Sequence, residues 1–335
     1  MTPQSVSVII VNWNGAQYLH SCLSSLLQQR HSPLEVLIVD NASDDESHQI
    51  VESFCEQQSA LPIRWMQNAH NHGFCRGNNQ GISQAVGEFI LLLNADVALE
   101  ADFISTLLSV MRTDPSIGIS LGKLVSAYND TIIDSTGITI AKNRRARDRG
   151  QGEPDRGQYA SREEVFGASG AACLCRRSML EEIKYPASIC SSKNGDEYLD
   201  ELFFAYKEDI DLSWRARLFG WKCVYEPDAV GRHYRNWAVG KRRQIPKFVR
   251  QHSLKNRYLM LLKNECRETL VPYLPHILWF ECVSMLYIVI REPYLLSVIP
   301  TIAGMWPEIM RKRNVTHIRQ KEKGYAAKTL LPWFQ

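Results

Sequence analysis

The sequence predicts an α/β protein built on a doubly wound, mostly parallel sheet, and three observations carry that expectation. Short runs of Val, Ile and Leu alternate with segments whose apolar residues recur at helical spacing. The apolar runs end on Asn or Asp. A chain of 335 residues that is 45% hydrophobic and 22% charged can bury a large core. In open sheets of this kind ligands gather at the carboxyl ends of the strands, so the polar residues that close each run are the first candidates for a site.

The first run, Ser5 to Val11, stops at Asn12, Asn14 and Gly15. Gln17 to Gln29 follows with Leu19, Cys22, Leu23, Leu26 and Leu27 at helical spacing. Leu34 to Val39 reads as a second buried strand, closed by Asp40, Asn41, Ser43, Asp44 and Asp45. Glu46 to Gln57 is the next helix, and Asp44 and Asp45 suit its cap. A third strand, Ile63 to Gln67, leads into NHGFCRGNNQGI, and Phe89 to Leu93 is a continuous apolar strand that stops at Asn94-Ala95-Asp96.

Later segments are less regular. Residues 143–164 are rich in Arg, Gly, Asp and Glu and nearly free of apolar side chains, which predicts a mobile loop. Ser188 to Asp196 predicts a shorter one. From Leu270 to Trp306 the composition turns apolar and aromatic, but Glu281, Arg291, Glu292 and several prolines interrupt it. No uninterrupted run of the roughly 20 residues that span a bilayer is expected there.

Composition excludes some classes. A net charge of +3 is too small to announce nucleic acid as a partner. The start, MTPQSVSVIIVNWNG, lacks a basic n-region, so no signal peptide is expected. Nine cysteines without a C-x-x-C pair predict reduced thiols in a cytosolic setting, with Cys173 and Cys175 in packing roles.

The chemistry concentrates where runs end. Asn14, Asp40, Asn78 and Asp96 are expected to form a polar rim that suits a divalent cation and a nucleotide. Asp40 offers an acceptor for a base N–H or a ribose hydroxyl, with a plain turn carboxylate as the alternative. Asp96, leaving a buried strand, suits Mg²⁺ or Mn²⁺, hard cations that bridge phosphate oxygens. Gly73 and Gly77 permit close backbone approach, and Arg76, Asn78 and Asn79 supply donors to phosphate or base. No G-x-G-x-x-G follows the first strand, which removes the main support for a nicotinamide-binding domain. Gly167 to Ala171 lacks the order of a nucleophile elbow and reads as backbone lining a sugar.

The sharpest segment is Phe203 to Arg215, where Glu208, Asp209 and Asp211 cluster at the start of a predicted helix. The helix N-terminus is expected to keep Asp209 ionised and available as a general base, with capping as the alternative for it and Glu208. Asp211 and Arg215 are spaced to pair along one helix face. His233, after WKCVYEPDAVGRHY, is a candidate metal ligand opposite Asp96.

Taken together, VSVIIVNWNG, VLIVDNASDD, NHGFCRGNNQGI, LLLNADV, GASGAACLCRR, FFAYKEDIDLSWRARLFGW and PDAVGRH resemble, in their order, the motifs of family 2 glycosyltransferases, nearest the bacterial rhamnosyltransferase-like branch. The resemblance covers residues 5 to 265. It implies a GT-A fold with a C-terminal helical extension and an inverting transfer in which Asp209 is the base and Glu208 assists. Asp96 and His233 would hold Mg²⁺ or Mn²⁺. A nucleotide diphosphate sugar of the dTDP or UDP type, dTDP-rhamnose by this branch, would lie against Asn12, Asn14, Asp40, Asn41, Gly73, Arg76, Asn78, Asn94, Ala95 and Gly170. Two departures bear on this: Asn94 stands where the family places a carboxylate, and Lys184 to Tyr198 is longer and more polar than the usual link.

The expected organisation is a catalytic domain over residues 1–265 and an amphipathic helical tail over 266–335. Between Asp228 and Glu265 the only charged residues are basic, including Arg232, Arg235, Lys241, Arg242, Arg243, Lys247 and Arg250. With the aromatic segment after them, they suggest helices in an anionic membrane interface, on the cytoplasmic face, and a glycan or polyprenyl-diphosphate-linked acceptor. Helices packed on the catalytic domain, or a homodimer contact, are the alternative. A transferase with another donor, UDP- or GDP-linked, and a silent nucleotide-sugar or glycan-binding module of the same fold are the competing functions.

Overall fold

A computed structural model describes residues 5–192, 194–235 and 245–335. The first apolar runs become strands because helices cover both of their faces. β1 (Val6–Asn12), β2 (Glu35–Asp40), β3 (Ile63–Gln67) and β4 (Phe89–Asn94) are parallel and lie side by side in the order β4-β1-β2-β3. They are connected through α1 (Ala16–Leu27), α2 (Ser47–Gln57) and α3 (Gly73–Gln84). Alternate side chains feed two cores. Val8 and Ile10 pack with Leu19, Leu23 and Phe103, whereas Ile9 packs with Leu37, Ile82 and Trp214. Each such Leu or Ile, fully buried, stabilises the fold by about 1.5–3 kcal/mol.

The register sets Asn12 beside Asp40, and Val11 beside Asn94, so the polar strand ends stand level along one edge. Helix α3 lies close on that edge because it turns glycines toward the sheet. A Cβ added at Gly77 would come 2.8 Å from Val11, and one at Gly81 would come 2.5 Å from Ile9.

Beyond β4 the sheet becomes mixed. β5 (Val97–Leu99) and α4 (Phe103–Thr113) precede β6 (Ile117–Ser126), which pairs with β7 (Asn129–Ser135). β8 (Ile138–Ile140) and β9 (Ala146–Asp148) form a separate ladder, and β10 (Glu163–Glu164) adds an edge. β11 (Ala172–Arg176) lies antiparallel between β4 and β6. After α5 (Arg177–Ile183) and α6 (Glu208–Leu218), β12 (Lys222–His233) runs parallel to β6. β12 also pairs antiparallel with β5, His233 opposite Val97. That pairing brings Asp96 to His233.

The mobile loop expected over 143–164 is instead an ordered part of the fold. Several of its charges have partners, although most stay exposed: Arg144 is fully buried against Glu265 and the Phe334 ring, Arg149 pairs with Glu163, and Asp155 lies 2.9 Å from Lys123 Nζ. Composition alone reads such residues as solvated. Order here comes from partners far along the chain.

The C-terminal helices are α7 (Lys247–Asn264), α8 (Arg267–Leu270), α9 (Leu274–Arg291) and α10 (Val298–Glu322). Contrary to the expected interruptions, residues Arg267–Arg291 form one helical run that is long and apolar enough to cross a membrane, with only 11% of its apolar window buried. Pro272 and Pro275 fall in first-turn positions where no N–H is needed, and Glu281 pairs with Arg257 and accepts from Tyr258 Oη at 2.8 Å. Leu278, Trp279, Val283, Leu286 and Ile290 are exposed along it.

α10 packs on α7 and inserts the fully buried Lys312 among Glu197, Asp200 and Glu308, each 2.7 Å from its ammonium. Lys263 of α7 joins Asp200 to Asp211 of α6. Phe334 closes over Trp214 and Phe166. Of the expected basic stretch, Lys241, Arg242 and Arg243 lie outside the described residues. All nine cysteines are free thiols, and burial, with a hydrogen bond to Cys175 as the larger cause, raises the Cys173 thiol.

Candidate active site

A cleft of about 430 Å³ opens at the carboxyl edge of the sheet. Asn94 at the end of β4 and Asp96 after it, Ser169 to Ala171 before β11, Ala205 to Asp209 at the start of α6, and His233 at the end of β12 with Arg235 after it line the cleft, with Phe74 and Asp148. Asn94, Asp96, Gly170, Glu208, Asp209 and His233 of the predicted site therefore meet here.

Asn12, Asn14, Asp40, Asn41, Gly73, Arg76, Asn78 and Ala95 of the predicted site are not among the residues that line this cleft. Asp40 is buried and accepts from Asn12 Nδ2 at 2.8 Å and from Ser43 Oγ and N at 2.5 and 2.9 Å. Asn12 is fully buried, and its Oδ1 has no partner. Asn14, at φ 52°, accepts from the Asp44 amide at 3.0 Å. Asn41 donates to the Gly73 carbonyl at 3.0 Å. Gly73 has φ +86° and lies so close to Phe204 that a Cβ would come 2.5 Å from its ring.

Asn78, expected at a strand end, sits inside α3, is buried, and donates back to the Phe74 carbonyl at 2.9 Å. The helical spacing of the glycines that seat α3 explains the difference. Arg76 is half-buried on the same helix, with its Nε unpartnered, and Ala95 is half-buried between Asn94 and Asp96.

Asp96 and His233 face each other, Oδ1 to Nε2, at 3.4 Å. The other ring nitrogen lies 2.7 Å from Asp134 Oδ2. Burial alone would lower the imidazole, but hydrogen bonding to Asp134 and Asp96 outweighs it and raises His233 to about 9. Beside them the buried amide oxygen of Asn94 has no partner. A carboxylate and an imidazole facing each other in one cleft, with an orphan amide oxygen on the lining residue Asn94, fit a divalent cation. A second group of ligand types, Cys190, Glu197 and Glu308, lies elsewhere, and Lys312 already supplies its positive charge.

Asp209 stands across the cleft. Its Oδ2 accepts from the Gly170 amide at 3.2 Å and its Oδ1 from the Ile210 amide at 2.8 Å. Burial, then the charge of Asp148, raise this carboxylate from its ordinary value despite those two donors, an influence that the helix N-terminus expected to keep it ionised does not convey. Glu208 is buried with Oε2 unpartnered, and burial followed by its neighbour Asp209 raises it to about 8. The segment entering α6 holds Phe204, Tyr206 and Lys207 at φ 66°, 72° and 68°, a conformation rare for residues with side chains and found where a site requires it. Asp211 and Arg215 pair as expected, at 3.0 Å, fully buried.

Sequence reasoning missed Asp134 and Asp148 and did not bring Arg235 to the cleft. Arg235 Nε lies 2.9 Å from Asp134, and its Nη1 lies 3.1 Å from Asp148.

The family described as "Glycosyl transferase family 2" matches residues 7–184, more than half of the chain and most of the sheet that builds this cleft. The chain belongs to glycosyl transferase family 2. An uncharacterized glycosyltransferase of Nostoc is 31% identical over 131 residues, 38% of this chain and 39% of that protein. The poly-beta-1,6-N-acetyl-D-glucosamine synthase of Staphylococcus epidermidis is 22% identical over 238 residues, 68% of this chain and 49% of the synthase. The chain thus spans less than half the length of these relatives. The structure of GalNAc-T7 with UDP, GalNAc and Mn²⁺ superposes with a TM-score of 0.59 at 14% identity, over 77% of this chain and 48% of that one. At that identity the likeness establishes the fold, and the family 2 transferase described here has the α/β GT-A architecture.

Proposed function

We propose that this family 2 transferase is an inverting, Mg²⁺- or Mn²⁺-dependent enzyme that moves rhamnose from dTDP-rhamnose to a hydroxyl of a lipid-linked glycan in cell-surface polysaccharide assembly. The observation that carries the reaction type is the placement of Asp209 across one cleft from the Asp96–His233 pair. The donor rests on the order of the sequence motifs alone. One neighbour of the fold holds UDP, GalNAc and Mn²⁺ and another, a mannosyltransferase from Pyrobaculum calidifontis, holds GDP-Man and Mn²⁺, which supports a nucleotide diphosphate sugar and metal use.

Asp96, His233 and the Asn94 amide oxygen would hold the cation, and when bound it supplies neutralisation of the departing diphosphate. Asp209 removes the proton of the acceptor hydroxyl while that oxygen attacks the anomeric carbon opposite the leaving group, which inverts the centre. The Gly170 and Ile210 amides hold both Asp209 oxygens, so the base enters the reaction already oriented. Glu208, kept neutral below its raised pKa of about 8, avoids a second charge beside the base. Asn12, Asn14, Asp40 and Asn41 shape the floor on which the base and ribose rest.

We assign residues 1–265 to catalysis and 266–335 to a tail whose exposed apolar helix seats the enzyme on the inner face of an anionic membrane. The test is release of nucleoside diphosphate from a panel of dTDP-, UDP- and GDP-sugars with Mn²⁺ and a lipid-linked acceptor. Turnover of dTDP-rhamnose above the others is expected. Turnover of another donor alone refutes the donor, and binding without turnover of any would make the protein a silent binding module.

A further inference from the structure

We propose that Asp134 is a positioning residue for metal binding, which fixes the ring of His233 so that Nε2 faces Asp96 and the cleft. The inference rests on the metal-dependent reading above and adds to it a residue that no motif marks. Asp134 is 6% exposed on β7, a strand that reaches the site only through its pairing with β6, which also carries β12 and His233. Its Oδ2 lies 2.7 Å from His233 Nδ1, while Nε2 points at Asp96 Oδ1, 3.4 Å away. A carboxylate that accepts from Nδ1–H leaves Nε2, the nitrogen that faces Asp96, as the one that would give up its proton and offer a lone pair to a metal.

The carboxylate is itself held from its other side. Its Oδ1 lies 2.9 Å from Arg235 Nε, and the same guanidinium reaches Asp148 at 3.1 Å, which in turn accepts from Ser135 Oγ at 3.0 Å. The chain Asp148–Arg235–Asp134–His233 therefore leaves the imidazole one orientation. A simpler role is an ion pair that only ties β7 to the strand end carrying Arg235. The two roles differ in what they predict for the metal. An imidazole nitrogen favours Mn²⁺ over Mg²⁺, which prefers oxygen, so a misdirected ring should cost Mn²⁺ more.

The experiment titrates Mn²⁺, alone and with dTDP, into the full chain by electron paramagnetic resonance of the free ion, with Mg²⁺ in competition, and with melting temperature as the check on folding. Asp134→Asn should weaken Mn²⁺ about 10–100-fold and narrow the preference for Mn²⁺ over Mg²⁺. In a His233→Ala background the same substitution should change nothing further, because the residue it positions is gone. Should Asp134→Asn not fold, Asp134→Glu, which shifts the carboxylate by one methylene and keeps its charge, must show the same narrowed preference. Wild-type Mn²⁺ affinity in the folded variant, or an equal loss for both metals that persists without His233, overturns the proposal. If Asp96→Ala abolishes Mn²⁺ binding while Asp134→Asn leaves it intact, only the positioning role fails. If the wild type shows no Asp96-dependent binding, the metal reading fails with it.

Discussion

Lys312→Met tests how α10 is bound to the catalytic body. The wild-type ammonium is fully buried and lies 2.7 Å from carboxylate oxygens of Glu197, Asp200 and Glu308. Removing one partner of a buried ionic cluster costs about 3–5 kcal/mol, because the charges left behind stay desolvated. At roughly 2 °C per kcal/mol for a chain of this size, the melting temperature should fall by about 6–10 °C. The loss has a pH signature. Burial opposes ionisation of Asp200, but Lys263 and Lys312 outweigh it and hold its carboxyl below the usual range. That stability is present above the unfolded carboxyl pKa and disappears as pH falls through the folded one. The variant's deficit should therefore be full at about pH 7 and smaller at about pH 2.5, below the unfolded carboxyl pKa of about 3.9. Urea denaturation followed by far-ultraviolet circular dichroism at both pH values, with the exposed Arg311→Ala as control, reads it. A deficit below about 1 kcal/mol, or one that grows in acid, refutes the reasoning.

Other predictions concern the cleft and the tail. Because burial and Asp148 raise Asp209, the acid limb of kcat/KM should lie above the ordinary aspartate range near about 3.9, and Asp148→Asn should lower it. Glu208 is raised from 4.5 to about 8, so its contribution to stability, complete below the unfolded value, is lost as pH rises through about 8. Glu208→Gln should flatten a denaturation profile over that window, and an unchanged slope would show that Glu208 ionises normally. A Cβ at Gly170 would sit 3.5 Å from Asp209 Cβ, ordinary contact, so Gly170→Ala should keep activity, whereas the extra methyls of Gly170→Val should cut turnover at least tenfold at near-constant melting temperature. On the exposed face of α9, Trp279→Glu with Leu286→Glu should abolish sedimentation with phosphatidylglycerol vesicles; binding that persists would assign this face to something other than lipid.

The first half of the fold was legible because β1, β2 and β4 are buried on both faces, so their apolar runs and polar ends mark strand boundaries to within a residue or two, with β3 as the part-exposed edge strand. The acids of the α6 start and the Asp96–His233 pair could be named from local pattern. What escaped notice depends on contacts distant in sequence. Arg144 is ordered by Glu265 and Phe334, and Asp148 reaches the cleft through Arg235, so neither has a local signature. The elevated Asp209 was missed for a related reason: a helix N-terminus is visible in sequence, but the desolvation that outweighs it is not. Likewise the prolines near residue 273 read as breaks until their first-turn positions are known.

The central claim is that the cleft binds a nucleotide diphosphate through a cation held by Asp96. Thermal shift with dTDP, UDP and GDP and their sugars, with and without Mn²⁺, on the wild type and Asp96→Ala, tests it most directly. Stabilisation by one nucleotide series that requires Mn²⁺ and vanishes in Asp96→Ala is expected. Equal stabilisation in the variant, or none by any nucleotide, would contradict it.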